Sequence, residues 1–544
     1  MTRLRPSREL LADLPDPAAE ADAACRRAVE LELLGDTDAA LAAYREAAAR
    51  WPEFAPLHAR LGNLLLRLSR SSEALPVLRQ AVALDPESAL AQCQLGLALL
   101  ETDLPAEAAA ALERAAALRP EFPEALASLA EALRRLGRLE QARQAAEAGI
   151  AADFNRPEAH LHLGNVLCDL GAFEAACNAY RRALGLDPQN PGVLSNLGLA
   201  LYSLGRLSEA LAQHRAALAL KPDAAAFRYN LAVALLGAGD FEHGWAAYES
   251  RLHLGVPSIM SLDDAAPRWE GEKLAGRTIL LYGEQGFGDT LQFVRYAPLV
   301  AARGGRVILG VPAPLVRLLQ RTPKVARVVA AGEVVAGFDL QSPLMSLPRV
   351  FGTRLADIPA TIPYLHADPA LAAQWQARLP LGDRPLVGLV WAGNPRVHQP
   401  SAQVFDRRRS LQLAQLAPLG AVAGVRFISL QKEPPGTELQ SAPAGLDLFD
   451  PMPSVGDFAD TAALLAHIDL VVTVDTSVAH LAGGLGKPVW MLSRFDACWR
   501  WLRDRDDSPW YPTMRIYRQA KPGDWAPVIA QVAADLRMWA QQAR

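Results

Sequence analysis

At 544 residues the chain exceeds what a single apolar core supports, so about three domains are expected. A hydrophobic share of 51% with 21% charged residues belongs to a folded chain rather than a disordered one. A net charge of −4 lacks the basic footprint of a nucleic-acid binder, and 49 Arg against six Lys reads as a compositional habit of the whole chain.

Five scattered cysteines (Cys25, Cys93, Cys168, Cys177, Cys498), none in C-x-x-C spacing, point to neither a disulfide framework nor a zinc site and fit a reducing compartment. The N-terminal MTRLRPSRELLADLPDP has no apolar core of the signal-peptide kind, and no uncharged apolar run of about 18 residues is present. A cytoplasmic protein without a membrane span is therefore expected.

Residues 1–20 read as a flexible Pro- and charge-rich tail. From residue 21 a strict period sets in: Leu61-Gly62, Leu95-Gly96, Leu129-Ala130, Leu163-Gly164, Leu197-Gly198 and Leu231-Ala232 recur every 34 residues. Pro52, Pro86, Pro120, Pro188 and Pro222 keep the same step, with Phe154 in the one gap. The small residues let antiparallel helices approach closely, and proline ends each second helix. This pattern resembles the tetratricopeptide repeat, and seven units are expected over 21–258, stacked as an α-helical superhelix. The last unit carries Gly244-Trp245 and Tyr248 where the others are plainer, as if packed on a following domain. The residues before the Leu-Gly pairs include Asn196 and Asn230. They resemble the asparagine ladder of O-linked N-acetylglucosamine transferase, which implies binding of an acceptor polypeptide through its backbone amides. The alternative is that asparagine is merely frequent at that place in such repeats.

Residues 259–275 read as a connector. A strand at Arg277–Tyr282 leads through Gly283-Glu284-Gln285-Gly286-Phe287-Gly288-Asp289-Thr290 into a helix, and alternating strand and helix signals continue to residue 368. The Pro-rich stretch Gln341–Asp383 reads as the crossing into a second alternating series over 369–544. There Leu386–Trp391, Arg426–Leu430, Leu470–Val474 and Pro488–Leu492 are expected strands, and Trp525–Ala543 a closing helix. After Val474, Asp475, Thr476 and Ser477 offer helix-capping side chains, and a strand turning into a helix presents backbone N–H groups to an anion. Two Rossmann-like lobes resemble the GT-B glycosyltransferases, with ligands beyond the carboxyl ends of the strands.

Gly286-Phe287-Gly288-Asp289 lacks the third glycine of a dinucleotide fingerprint, so no NAD or FAD is expected and no cofactor is implied. Gly288-Asp289 resembles the Gly-Asp of lipopolysaccharide heptosyltransferases, which implies that Asp289 deprotonates the acceptor. The run DTSVAHLAGGLGKP resembles their Asp-Thr-Gly-x-x-His segment, with Ser477 in place of glycine. That implies Asp475, Thr476, Ser477 and His480 around a nucleotide diphosphate, with Gly286 and Gly288 across from them. Arg409, on a loop after the Trp391 strand, and Lys432, after the Arg426 strand, are candidate cations. Gln431 is a candidate reader of base or ribose. Asp504-Arg505-Asp506 fits a metal-holding D-x-D, but no strand leads into it and no metal is expected.

The combination resembles tetratricopeptide-containing glycosyltransferases, including O-linked N-acetylglucosamine transferases and bacterial flagellin-modifying enzymes. It implies a metal-independent, inverting transfer from a nucleotide-sugar to a held polypeptide, possible acceptors including a flagellin-like chain. Two alternatives stay open: a scaffold with a nucleotide-binding or inactive module, and a heptosyltransferase-like enzyme acting on glycan or lipid.

Overall fold

The computed structural model describes residues 17–255, 266–396, 400–432 and 438–542. The expected tail therefore lies outside the described residues up to 16, while residues 17–20 begin a helix; the expected connector lies outside them through 265. The chain divides into two compact units, Met1–Gln189 and Asn190–Arg544.

The first unit contains five antiparallel helix pairs, from Pro17–Leu33 with Thr37–Arg50 to Pro157–Asp169 with Phe173–Leu186. The period has a direct packing cause. A Cβ on Gly62 would stand 2.4 Å from the Leu78 side chain, and one on Gly96 2.4 Å from Leu112, so glycine is what allows each helix to seat the large residue of its partner. Where Ala130 replaces the glycine, the corresponding residue of the partner helix is the fully buried Ala146, and the pair stays small on small. The turn inside each pair needs a left-handed residue. Gly35, Gly137 and Gly171 supply it freely, while Ser69 and Asp103 adopt φ of 56° and 58° at a cost.

The second unit begins with two more helix pairs, Pro191–Ser203 with Leu207–Leu220 and Ala225–Gly237 with Phe241–Tyr248. A boundary at the end of the array is thus not where the compact units part. The reason is aromatic packing: Trp245 meets Trp499 edge-on at 5.3 Å and Phe293 at 6.2 Å, and its indole N–H donates to the Thr353 carbonyl at 3.0 Å. Phe241, Trp245 and Tyr248 share one apolar core with the sheets that come after them.

Those sheets are entirely parallel. The smaller contains β1 (Thr278–Tyr282), β2 (Arg306–Val311), β3 (Val325–Ala330) and β4 (Leu340–Pro343), ordered β3-β2-β1-β4. The larger contains β5 (Leu386–Val390), β6 (Arg426–Ser429), β7 (Leu448–Phe449), β8 (Leu470–Val474), β9 (Val489–Ser493) and β10 (Met514–Arg518), ordered β10-β9-β8-β5-β6-β7. The architecture is a helical tetratricopeptide array followed by an α/β region with two parallel sheets, consistent with GT-B. In each sheet the strand order reverses once, between β1 and β4 and between β5 and β8. Such switch points splay the loops at the carboxyl edge and leave a crevice for ligand. The loops after β1, β5 and β8 all open there.

Several local expectations are corrected. Gln341–Pro343 belong to β4 and not to a crossing segment, because Gln341 also accepts the Trp269 N–H at 2.9 Å and completes the sheet edge. Arg407, Arg408 and Arg409 end a helix, Pro400–Arg409, instead of lying on a loop; cations suit the negative end of a helix dipole. Strands β7 and β10 have no counterpart among the expected strands: one is two residues long, the other comes after a Trp-rich segment without an alternating pattern.

Candidate functional site

The run LVVTV of β8 is buried at every position, so its β-branched side chains pack on both faces and the chain emerges only at Asp475. Thr476 is the N-cap of the helix Ser477–Gly484, but its side chain makes no capping bond. Its hydroxyl instead pairs with that of Thr473 at 3.2 Å, so side-chain capping by this triplet is not what the fold uses. The first-turn amides keep their direction out from the sheet edge.

On the other lobe, β1 ends at Tyr282 and the helix Phe287–Phe293 starts after Gly286. Asp289 folds back on it, one carboxylate oxygen accepting the Gly286 N–H at 2.9 Å. The two loops meet. A Cβ on Gly288 would lie 2.7 Å from His480 Cδ2, 3.3 Å from His480 Nε2 and 3.6 Å from the Ser477 Cα. Phe287 and Phe458 touch edge-on at 5.2 Å, and Arg317 reaches the Asp457 carboxylate at 3.4 Å, tying the same two edges together.

The other oxygen of Asp289 pairs with Arg500 Nη2 at 2.5 Å. Arg500 is buried, donates from Nε to Gln292 Oε1 at 2.8 Å, and lies 4.2 Å over the Trp499 ring. Burial opposes its charge, but the Asp289 carboxylate foremost leaves its pKa raised. Sequence reasoning missed this residue because it is 211 positions away and carries no motif.

His480 is buried, stacked on Trp501 at 5.3 Å, and its Nδ1 stands 2.8 Å from the Tyr511 hydroxyl. Burial pulls the imidazole down to about 4, with Asp475 opposing, so the ring is neutral near pH 7.

Arg409 donates to the Asp475 carbonyl at 2.8 Å and pairs with the buried carboxylate of Asp406 at 2.5 Å. Arg396 holds the same Asp406 through Nε at 2.6 Å. Its pKa is raised by that bond first, with burial opposing and the Asp289 charge adding across the junction. Arg396 was also missed; its signal would have been a lone cation on the loop after β5. Gln431 is buried and its Oε1 accepts the N–H groups of Trp391 and Ala392 at 3.2 and 2.9 Å, which pins the end of β5. Lys432 donates to the Val455 carbonyl at 2.7 Å from a solvent-exposed position. Asn230 donates to Ser195 Oγ at 3.0 Å, while Asn196 is half-buried on the preceding repeat helix. Thus Gly288, Asp289, Ser477 and His480 are brought to one place, with Arg409 and Asp475 adjoining. Gln431 and Lys432 are committed to backbone bonds.

Tetratricopeptide-repeat models match residues 27–89, 99–163, 164–205 and 198–239. Residues 442–492, which include β8 and the helix after it, match glycosyltransferase family 9 (heptosyltransferase). Protein FlbA of Caulobacter vibrioides is 32% identical over 329 residues, covering 55% of this chain and 52% of its own length, so the chain spans about half the length of that curated relative. Among solved structures, the chain is similar to a thermophilic TPR protein of Thermus thermophilus, TTC0263, at 30% identity over 33% of this chain and 97% of that one, with a TM-score of 0.30. It is also similar to Pseudomonas aeruginosa pilF at 21% identity over 39% of this chain and 97% of that one, with a TM-score of 0.34. No described helix is long and apolar enough to cross a membrane. The chain therefore joins tetratricopeptide repeats across its N-terminal region to a C-terminal part in which residues 442–492 match glycosyltransferase family 9 (heptosyltransferase).

Proposed function

We propose that the chain moves a sugar from a nucleotide-sugar donor to a polypeptide held by its repeats, in one in-line displacement with inversion. The observation that carries this reading is the approach of Gly288, the neighbour of Asp289, to His480 and Ser477 at the helix start after β8. Asp289 accepts the proton of the acceptor hydroxyl as the new bond to the anomeric carbon forms. Each of its oxygens has one protein partner, and a carboxylate has about four lone-pair sites, so capacity for an acceptor remains. The charge growing on the departing diphosphate is met by the N–H groups of Thr476 and Ser477, by His480, and by Arg409 and Arg396 rather than by a metal ion. Gly286 shapes the acceptor loop. Gln431 supports the donor side through the end of β5, and Lys432 stands at its rim. Asn196 and Asn230 belong to the acceptor side. Fusing acceptor-holding repeats to the lobes raises the local concentration of a weakly bound polypeptide, a flagellin-like chain being one such acceptor. The setting is cytoplasmic, where nucleotide-sugars are made.

Asp289→Asn tests the proposal: transfer falls by about 10²-fold or more, as for a lost general base, while nucleotide binding and the melting temperature are followed to separate chemistry from folding. Undiminished transfer would sink the role. The double engagement of Asp289 favours one second reading, a scaffold in which the carboxylate only anchors Arg500. Hydrolysis of donor by water separates the two, since a scaffold has none. Loss of transfer on replacing Asn196 and Asn230 would in turn separate a protein acceptor from a glycan or lipid one.

A further inference from the structure

The surroundings of His480 decide which ring nitrogen carries its proton. Tyr511 is buried, and its oxygen lies 2.8 Å from His480 Nδ1 and 3.4 Å from the Tyr364 hydroxyl. Tyr364 has a nearer use for its own proton, the Leu291 carbonyl at 2.8 Å, and its oxygen already accepts from Arg295 Nη2 at 3.0 Å. If Nδ1 carried the histidine proton, Tyr511 would have to send its own along the long contact to an oxygen already occupied. With the proton on Nε2, every short contact in the chain is satisfied: Arg295 to Tyr364, Tyr364 to Leu291, Tyr511 to Nδ1. The Arg295 guanidinium, 4.8 Å over the Tyr511 ring and nearly fully enclosed, also disfavours a second positive charge on the imidazole.

Nε2 is left with no partner among the described residues, although the ring is only 5% exposed. It points at the glycine loop, 3.3 Å from where a Cβ on Gly288 would stand. The charged groups that act on the ring from its neighbours are Asp475, Arg500, Asp289 and Arg295.

We infer that Tyr511 is a positioning residue that fixes the proton of His480 on Nε2, so that His480 serves the junction of the lobes as a hydrogen-bond donor to a diphosphate oxygen and not as a proton acceptor. The ligand class rests on the transferase reading above; the location of the proton does not. Arg295 and Leu291 engage Tyr364, which leaves the Tyr511 proton to His480. Its purpose is electrostatic: a preoriented N–H costs no reorganisation when charge develops on the leaving group.

The test uses the full chain with ¹⁵N-labelled histidine, the His480 resonances being assigned by their absence in His480→Gln. Near neutral pH the spectrum should show a protonated Nε2 and a bare Nδ1. A protonated Nδ1 in the native chain overturns the inference, whatever the ligand. In Tyr511→Phe, checked for an intact fold by its melting curve, the two tautomers should mix. A native-like pattern there would remove Tyr511 from the role. Binding is then measured with UDP, ADP and GDP as probes. His480→Ala should weaken the probe that binds by about tenfold, the scale of one charge-assisted hydrogen bond. His480→Gln, whose amide N–H reaches the Nε2 place, should restore most of that affinity. Unchanged binding in His480→Ala overturns the donor role. If none of the probes binds the native chain, the transferase reading fails and the donor role with it, while the resonances still report the tautomer.

Discussion

Replacing Gly288 by alanine puts the meeting of the two lobes to a direct test. In a short helix the change should help, since glycine is about 0.5–1 kcal/mol worse than alanine in a helix interior. The added methyl, however, would stand 2.7 Å from His480 Cδ2, where a carbon pair at rest keeps about 3.5–4.0 Å. About 1 Å must be found. The imidazole cannot give it cheaply, because Trp501 stacks on one face and Tyr511 holds Nδ1. Turning the ring loses that hydrogen bond at about 1 kcal/mol, and forcing the helices apart carries an overpacking cost of about 1–3 kcal/mol. The steric effect therefore outweighs the helix propensity, and Gly288→Ala should lose about 1–2 kcal/mol of stability. A misplacement of about 1 Å at a reacting centre costs up to about 10²-fold in rate. Chemical denaturation and donor turnover measure both effects, with Gly185→Ala as control, since a Cβ there meets nothing within 4 Å. A Gly288→Ala protein as stable and as active as the native one would refute the close approach.

His214 is fully buried against Gly198, with neither ring nitrogen bonded among the described residues. Leu78 and Leu112 fill the same repeat position, so His214→Leu should raise stability by about 1–3 kcal/mol, the cost of a buried unsatisfied polar group; an unchanged denaturation midpoint would show that the imidazole has a partner. Burial holds both His214 and His480 at about 4, below the ordinary 6.5. The unfolded chain then takes up protons first as pH falls, so stability should drop between about 6.5 and 4 by about 1.4 kcal/mol per pH unit for each imidazole, and stay level above that window. Melting temperatures across that range check the slope, and His214→Leu should roughly halve it. No slope in the native chain would mean that both rings charge freely when folded.

Much of the fold was legible because its cause is local. Gly62 and Gly96 recur at a fixed step since each must clear one large side chain of the paired helix, and that demand repeats with every unit. The left-handed turns at Ser69 and Asp103 escaped notice because neither residue advertises its backbone. The short continuous apolar runs likewise announced β1, β5, β6, β8 and β9, whereas β7 and β10 are set by the strands they join. Gly288-Asp289 and the segment from Asp475 to His480 were legible as motifs, each on its own strand end. Arg500 and Arg396 were not, being single cations whose meaning lies in Asp289 and Asp406. The arginine run was misplaced on a loop since a helix of ten residues rich in polar side chains has no apolar stripe to reveal it.

What the sequence determined by itself was the period, the strand runs and the two loops at the ends of β1 and β8, because helix pairing, strand burial and turn chemistry act over a few residues. The tertiary structure decided that the last two repeat pairs pack with the sheets, that Gly288 stops against His480, and that Asp289 shares its charge with Arg500. Those outcomes depend on which surfaces meet after long intervening stretches of chain have folded, and neither spacing nor composition encodes that distance.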